Sequence, residues 1–302
     1  MMSFDRPGAS SAAPFRFSDC VQALLARGIF FVVRLVPIDI ASAMGGWLGR
    51  YLGPLFGVTR VARKNLTRAF PEKTAPEIES IVRGMWRNLG RSIMEFPHVD
   101  RFRFDGPDAR CEIVGTDYLD QLRDDGEPGL LVSGHFANWE VLPFSVARRG
   151  IPLHVIYRAP NNPMMEPLFA RRIPGQGELI PKGVYGAKRA LQLLKAGQHL
   201  GILIDQKMND GIAVPFFGRD AMTAPAVAHF AYRYNCPLVP VRIERTGGAH
   251  FRVTANAPMV MPDTGDRQAD VLQLMTDINA LLESWIRDRP EQWLWVHRRW
   301  PD

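Results

Sequence analysis

The chain has 302 residues, enough to bury a sizeable core in one large domain with an added helical portion, and no second catalytic domain is required. With 46% hydrophobic and 23% charged residues, its composition fits neither a disordered chain nor a polytopic membrane protein. A formal net charge of +6 and an isoelectric point near 9.5 favour anionic partners: phospholipid headgroups, acidic carrier proteins, phosphorylated substrates or nucleic acid. Charge alone does not choose among these.

Residues 1 to 17 are rich in Ser, Ala, Gly and Pro and read as a disordered tail. The apolar run from Cys20 to Val36 carries Arg27 and Arg34 and closes on Pro37, so it is not a clean membrane span, which needs about 20 largely apolar residues. It also lacks a small-residue cleavage site, which argues against a secretory signal. A second apolar stretch from Ile40 to Phe56 holds glycines, Trp47 and Tyr51, and is followed by the basic cluster Arg60, Arg63 and Lys64. Together these predict membrane-associated helices over residues 18–58 and one catalytic domain over 59–302. The alternative is that these helices simply pack on the protein's own core.

Thr74-Ala75-Pro76-Glu77 is a capping-box candidate, followed by Ile78, Ile81, Val82, Met85, Leu89 and Ile93 at helical spacing. From about Cys111 the pattern changes to short apolar strands at 130–132, 153–157, 200–204, 238–243 and 251–255. Helical stretches at 141–148, 184–196, 224–234 and 269–287 alternate with or follow them, which predicts an α/β sheet with helices on both faces. Cys20, Cys111 and Cys236 are scattered, without a Cys-x-x-Cys pair, and read as small buried apolar residues in a reducing setting.

The stretch Ser133-Gly134-His135-Phe136-Ala137-Asn138-Trp139-Glu140 is the strongest candidate for chemistry. Gly129 to Val132 reads as a buried strand, Gly134 as its break, and Asn138 as the N-cap of a turn of helix carrying Glu140. A turn is required, because five positions along a regular helix rotate two side chains apart by roughly 140°. His135 then sits at the carboxyl end of a strand, as a general base, with Glu140 reaching back to one ring nitrogen. Tyr157-Arg158 ends the next strand, where the Arg158 fork suits phosphate or carboxylate; Arg171, Arg172, Lys182, Lys188 and Arg189 add charge downstream. A further strand ends in Asp205-Gln206, positioned to order the arginines or shape the pocket. Val214 to Gly218 and Ala221 to Pro225 read as an apolar loop with Thr223 capping the helix after it. No Gly-x-Ser-x-Gly elbow, ligand-spaced histidines or phosphate-cradling glycine loop occurs, so neither a serine hydrolase nor a metal centre is expected.

As an ordered set these pieces resemble the bacterial lipid A biosynthesis acyltransferases, the lauroyl and myristoyl transferases, and relatives such as the phosphatidylinositol mannoside acyltransferases. Gly134 to Glu140 looks like that family's His-x-x-x-x-Asp/Glu motif. Asn65 with Ala69-Phe70-Pro71, Tyr157-Arg158, Asn161-Asn162-Pro163, Asp205-Gln206, Phe216-Phe217-Gly218 with Thr223, and Gln292 to Arg299 extend the resemblance over most of the chain. It implies a glycerolipid-acyltransferase-like mixed sheet flanked by helices, with a membrane-associated N-terminal segment, on the cytoplasmic face of the bacterial inner membrane. It also implies His135 and Glu140 as catalytic residues, and Arg158, Asn161, Arg171 or Arg172, Asp205, Gln206 and Thr223 as substrate-binding or pocket residues. Acyl carrier protein or coenzyme A would carry the donor thioester and a membrane glycolipid or lysophospholipid would accept the chain, without cofactor, metal or nucleic acid. Two other readings compete: a thioesterase or lipase using the same histidine on water, and a basic peripheral lipid-binding protein in which His135 and Glu140 are structural.

Overall fold

The computed structural model describes residues 16–301. Most of the expected tail therefore lies outside the described residues, and Phe17 already opens the first helix. In chain order the elements are α1 (Phe17–Leu35), α2 (Ile38–Leu52), α3 (Thr59–Ala69), α4 (Ala75–Glu95), β1 (Cys111–Val114), α5 (Thr116–Asp124), β2 (Gly129–Ser133), α6 (Leu142–Arg148) and β3 (Leu153–Tyr157). They continue as α7 (Glu166–Phe169), β4 (Leu179–Pro181), α8 (Val184–Lys195), β5 (His199–Leu203), β6 (Ile212–Phe216), β7 (Arg219–Thr223), α9 (Ala226–Tyr234), β8 (Leu238–Gly247), β9 (His250–Ala255) and α10 (Arg267–Asp288).

Pro37 separates α1 from α2, and both helices keep a long apolar face in the open. Leu24, Ile29, Phe31 and Val32 on α1 and Ile40, Trp47, Tyr51 and Leu52 on α2 are exposed. The two arginines that interrupt the α1 run make polar contacts to neighbouring segments: Arg34 holds Asp100 through two 2.8 Å hydrogen bonds, and exposed Arg27 donates to the Met164 carbonyl. No helix among the described residues is long and apolar enough to cross a membrane. The other side of α2 rests on α4, and small residues let the backbones touch: a Cβ on Gly45 would lie 2.2 Å from the Gly90 carbonyl oxygen. The start of α4 is fixed as its sequence predicts, with Glu77 accepting from the Thr74 amide and hydroxyl.

The main sheet has seven strands in the order β1-β9-β8-β2-β5-β3-β4. All neighbours are parallel except the β8–β9 hairpin, so the sheet is mixed. The five strands expected from their apolar runs are present, and β2 is buried along its whole length, as a central parallel strand requires. The short β1 and β4 were not foreseen. The segment taken for an apolar loop is instead the antiparallel hairpin β6–β7, which sets Phe216 and Phe217 into an aromatic cluster with Trp293, Trp295 and Trp300. Thr223 is therefore a strand residue and Pro225 precedes α9 as its cap position. Cys111 and Cys236 are buried, and burial pushes their thiols up to about 12 and about 11; Cys20, against expectation, is exposed.

Candidate active site

Strands β2 and β5 are immediate neighbours in parallel register, Ser133 opposite Leu203, so the residues following them emerge side by side at the carboxyl edge of the sheet. His135 follows β2 and Asp205 follows β5. Asp205 Oδ1 lies 2.7 Å from His135 Nδ1, while Oδ2 accepts from the His135 backbone amide at 2.7 Å and from the Trp293 indole at 2.7 Å. Gly134 permits this approach, since a Cβ there would sit 3.0 Å from Asp205 Oδ2 and 2.7 Å from the Phe136 ring. Burial of Asp205 opposes its ionisation, but the His135 imidazole, the His135 amide and Trp293 outweigh it and hold the carboxyl well below the usual carboxylate range.

The expectation that Glu140 would reach the ring is corrected by this topology. The loop turns at Ala137, whose φ of 44° is left-handed, and enters a short 3-10 turn over Trp139–Val141 capped by Asn138, as the sequence suggests. Glu140 then accepts from Trp139 at 2.9 Å and pairs with Arg172 at 2.8 Å. It remains in the electrostatic field of His135, and burial raises its pKa against the pull of Arg172, Trp139 and His135. The strained turn is held from α4 and from the segment after α10. Asn88 and Ser92 donate to the Ala137 carbonyl, Asn138 donates to buried Glu95, and the Ala137 amide donates to Gln292.

The far nitrogen of His135 faces Gln206. Gln206 Nε2 lies 3.2 Å from His135 Nε2 and 3.3 Å from His297 Nε2, and Lys182 donates to Gln206 Oε1 at 3.4 Å. When its one proton sits on Nδ1, toward Asp205, the His135 ring presents the Nε2 lone pair that a base requires. Burial, reinforced by His135, pushes His297 down to about 4, so it too is a neutral acceptor. Lys182 is lowered by burial and by Arg158, with Asp205 opposing.

His135 opens onto an apolar cavity of about 210 Å³ between α6 and the sheet, walled by Leu131, Leu142, Val146, Leu153, Val155 and Leu203. Arg158, Lys182, Gln206 and Arg172 stand at its polar end. Arg172 also lies over the Phe169 ring at 4.4 Å. Two buried polar atoms on this wall lack a hydrogen-bond partner among the described residues: Ser133 Oγ and Arg172 Nε. Other expected residues lie elsewhere. Arg171 turns away to Phe30 and Asp100. Asn161 is exposed and outside the cavity, and its neighbour Asn162 instead ties the loop to the Asp19 carbonyl of α1. Thr223 is fully buried and accepts from Arg299 at 2.8 Å.

Trp293 and His297 were not singled out from sequence, although both lie in the Trp-rich segment that carries part of the resemblance. Asn65 fixes that segment by donating to the carbonyls of Trp295 and His297 at 2.9 and 2.6 Å. Among the described residues no group of three His, Cys, Asp or Glu side chains is arranged to hold a metal ion.

Residues 14–302 match the family model for the bacterial lipid A biosynthesis acyltransferase. The chain is 24% identical over 286 residues to the lipid A biosynthesis palmitoleoyltransferase of Escherichia coli (strain K12), covering 90% of this chain and 88% of the relative. It is 24% identical over 288 residues to the lipid A biosynthesis lauroyltransferase of the same organism, covering 91% and 90%. Among solved structures it is similar to the 1-acyl-sn-glycerophosphate (LPA) acyltransferase PlsC from Thermotoga maritima, with a TM-score of 0.38, 10% identity and coverage of 87% and 97%.

Proposed function

The chain belongs to the bacterial lipid A biosynthesis acyltransferase family, and from that premise we propose that it moves a fatty acyl chain from a carrier thioester to a hydroxyl of a membrane glycolipid, a lipid A precursor or lysophospholipid. It is an acyltransferase acting on a lipid. Acyl carrier protein or coenzyme A is the proposed donor, and the cytoplasmic face of the inner membrane the proposed place of work. Helices over residues 18–58 form the membrane-facing part and residues 59–302 the acyltransferase domain. The exposed apolar faces of α1 and α2 support that division.

The observation that carries the mechanism is the His135–Asp205 pair at the polar end of an apolar cavity. Neutral His135 takes the acceptor hydroxyl proton on Nε2 as the alkoxide oxygen attacks the thioester carbonyl. Asp205 fixes the ring and stabilises the imidazolium that forms. Collapse of the tetrahedral intermediate breaks the C–S bond, and the imidazolium returns its proton to the thiolate, so no covalent enzyme intermediate is needed. Ser133 Oγ and Arg172 Nε are the unpaired donors available to the oxyanion. Glu140 anchors Arg172 and adds negative potential beside His135. The acyl chain occupies the apolar cavity between α6 and the sheet.

The test measures acyl transfer and free-thiol release from an acyl thioester with and without lipid acceptor. Wild type is expected to transfer only with acceptor present, and His135→Ala to lose transfer while keeping its circular dichroism. Full transfer by a folded His135→Ala variant refutes the mechanism, and rapid thiol release without acceptor points to a thioesterase.

A further inference from the structure

A second concavity lies away from the catalytic cavity, and no residue lines both. It has a volume of about 250 Å³ where the end of α2, the middle of α4, the β8–β9 turn and the segment after α10 meet. Arg50, Arg87, Arg91, Arg245 and Arg289 all line it. Opposing carboxylates are few: Glu291 on the wall and Glu95 beneath, the latter paired with Arg245. Arg50, Arg87 and Arg289 are exposed and have no carboxylate partner among the described residues. Gly247 and Gly248 leave one side open, since a Cβ on either would meet nothing within 4 Å.

So many guanidiniums facing one hollow repel each other, and the effect is felt locally. Arg91 is held below its ordinary value by burial and then by Arg245 and Arg87, although it still donates to Ser42 at 2.8 Å. An anion entering the hollow relieves that repulsion and meets planar forks suited to bidentate recognition of phosphate. The hollow also adjoins an apolar surface. Arg50 lies one turn beyond Trp47 and next to Tyr51, two exposed aromatic residues in tilted contact at 5.5 Å. We infer that this arginine hollow is a binding site for a phosphate ester, separate from the acyl-transfer centre. The phosphate comes either from a lipid headgroup in the plane of the bilayer or from a soluble phosphate.

The experiment compares full-length wild type with Arg50→Gln/Arg87→Gln/Arg289→Gln, which removes exposed unpaired charge and leaves the Arg245–Glu95 pair intact. A control variant neutralises Lys195, Arg219 and Arg233, equally exposed cations outside the hollow. Binding is measured to phosphatidylcholine vesicles with and without phosphatidic acid, and thermal stabilisation by inorganic phosphate is read against chloride at matched ionic strength. The hollow variant is expected to lose roughly a hundredfold in affinity for the phosphatidic acid vesicles, about fivefold for each of its three cations near the surface, with the control close to wild type. Stabilisation by inorganic phosphate that vanishes in the hollow variant while vesicle binding is unchanged supports the site and assigns it to a soluble phosphate. Equal weakening of hollow and control variants overturns the inference, as does a hollow variant that binds every probe like wild type.

Discussion

Replacing Asp205 by Asn is expected to disable the enzyme through a proton on the wrong nitrogen. Asp205 Oδ2 receives two fixed donors, the His135 amide and the Trp293 indole, each at 2.7 Å, while Oδ1 receives only His135 Nδ1. An Asn side chain has one acceptor oxygen and one donor amine. Neither fixed donor can change its proton, so the Asn oxygen turns toward them and its amine toward Nδ1. The imidazole responds by moving its proton to Nε2, the atom that must accept the substrate proton. By analogy with the tautomer error in serine-protease triads, the loss in kcat is about 10³ to 10⁴-fold, or about 4 to 5.5 kcal/mol in the barrier. Glu140→Gln keeps an acceptor for Trp139 and Arg172 and removes only charge, so its loss is about tenfold, the difference between a charge-assisted and a neutral hydrogen bond. Both variants are assayed by transfer of a labelled acyl chain to lipid, with circular dichroism to confirm folding. A Glu140→Gln defect as large as that of Asp205→Asn, or an Asp205→Asn variant above a tenth of wild-type activity, refutes the assignment.

His297 gives a pH test of stability. In the unfolded chain it binds a proton below about 6.5, but in the folded chain only below about 4. Protons in that window therefore favour unfolding, and stability is lost as pH falls from 6.5 to 4, by about 3 kcal/mol for this group. His297→Gln should flatten that part of the curve in urea titrations, and parallel wild-type and variant curves would contradict it. Gly134→Ala drives a Cβ against Asp205 and Phe136 and should cost roughly a hundredfold in kcat through misplacement of the base; full activity in a folded variant would show that the fit is not tight. Leu24→Glu with Phe31→Glu places charge on the exposed face of α1. Thermal stability should hold while vesicle binding falls, and unchanged binding would remove α1 from the membrane contact.

Much of the sheet was legible because β2, β3, β5, β8 and β9 are apolar runs that must be buried, and Gly134-His135 after such a run marks a strand end. What the sequence did not carry is strand order. Nothing local to residues 129–133 or 199–203 says that β5 lies between β2 and β3, and that adjacency makes Asp205 the partner of His135. Glu140 was the natural choice because it is near in sequence, yet the left-handed turn at Ala137 sends it toward Arg172. The β6–β7 hairpin was missed because Pro215 and paired aromatics hide the alternation of a strand. The choice between Arg171 and Arg172 depends on which face of a single 3-10 turn meets the cavity, a distinction that adjacent identical residues cannot signal.

The bond from the Trp293 indole to Asp205, with His297 beside Gln206, has a consequence for synthesis. His135 and Asp205 leave the ribosome long before residues 293–297 do. Until that segment docks beneath the loop, Asp205 lacks one donor and Gln206 one of its anchors. The His135–Asp205–Gln206 arrangement is therefore complete only once the late tryptophan segment has docked, so the end of chain synthesis and the assembly of the site are tied together.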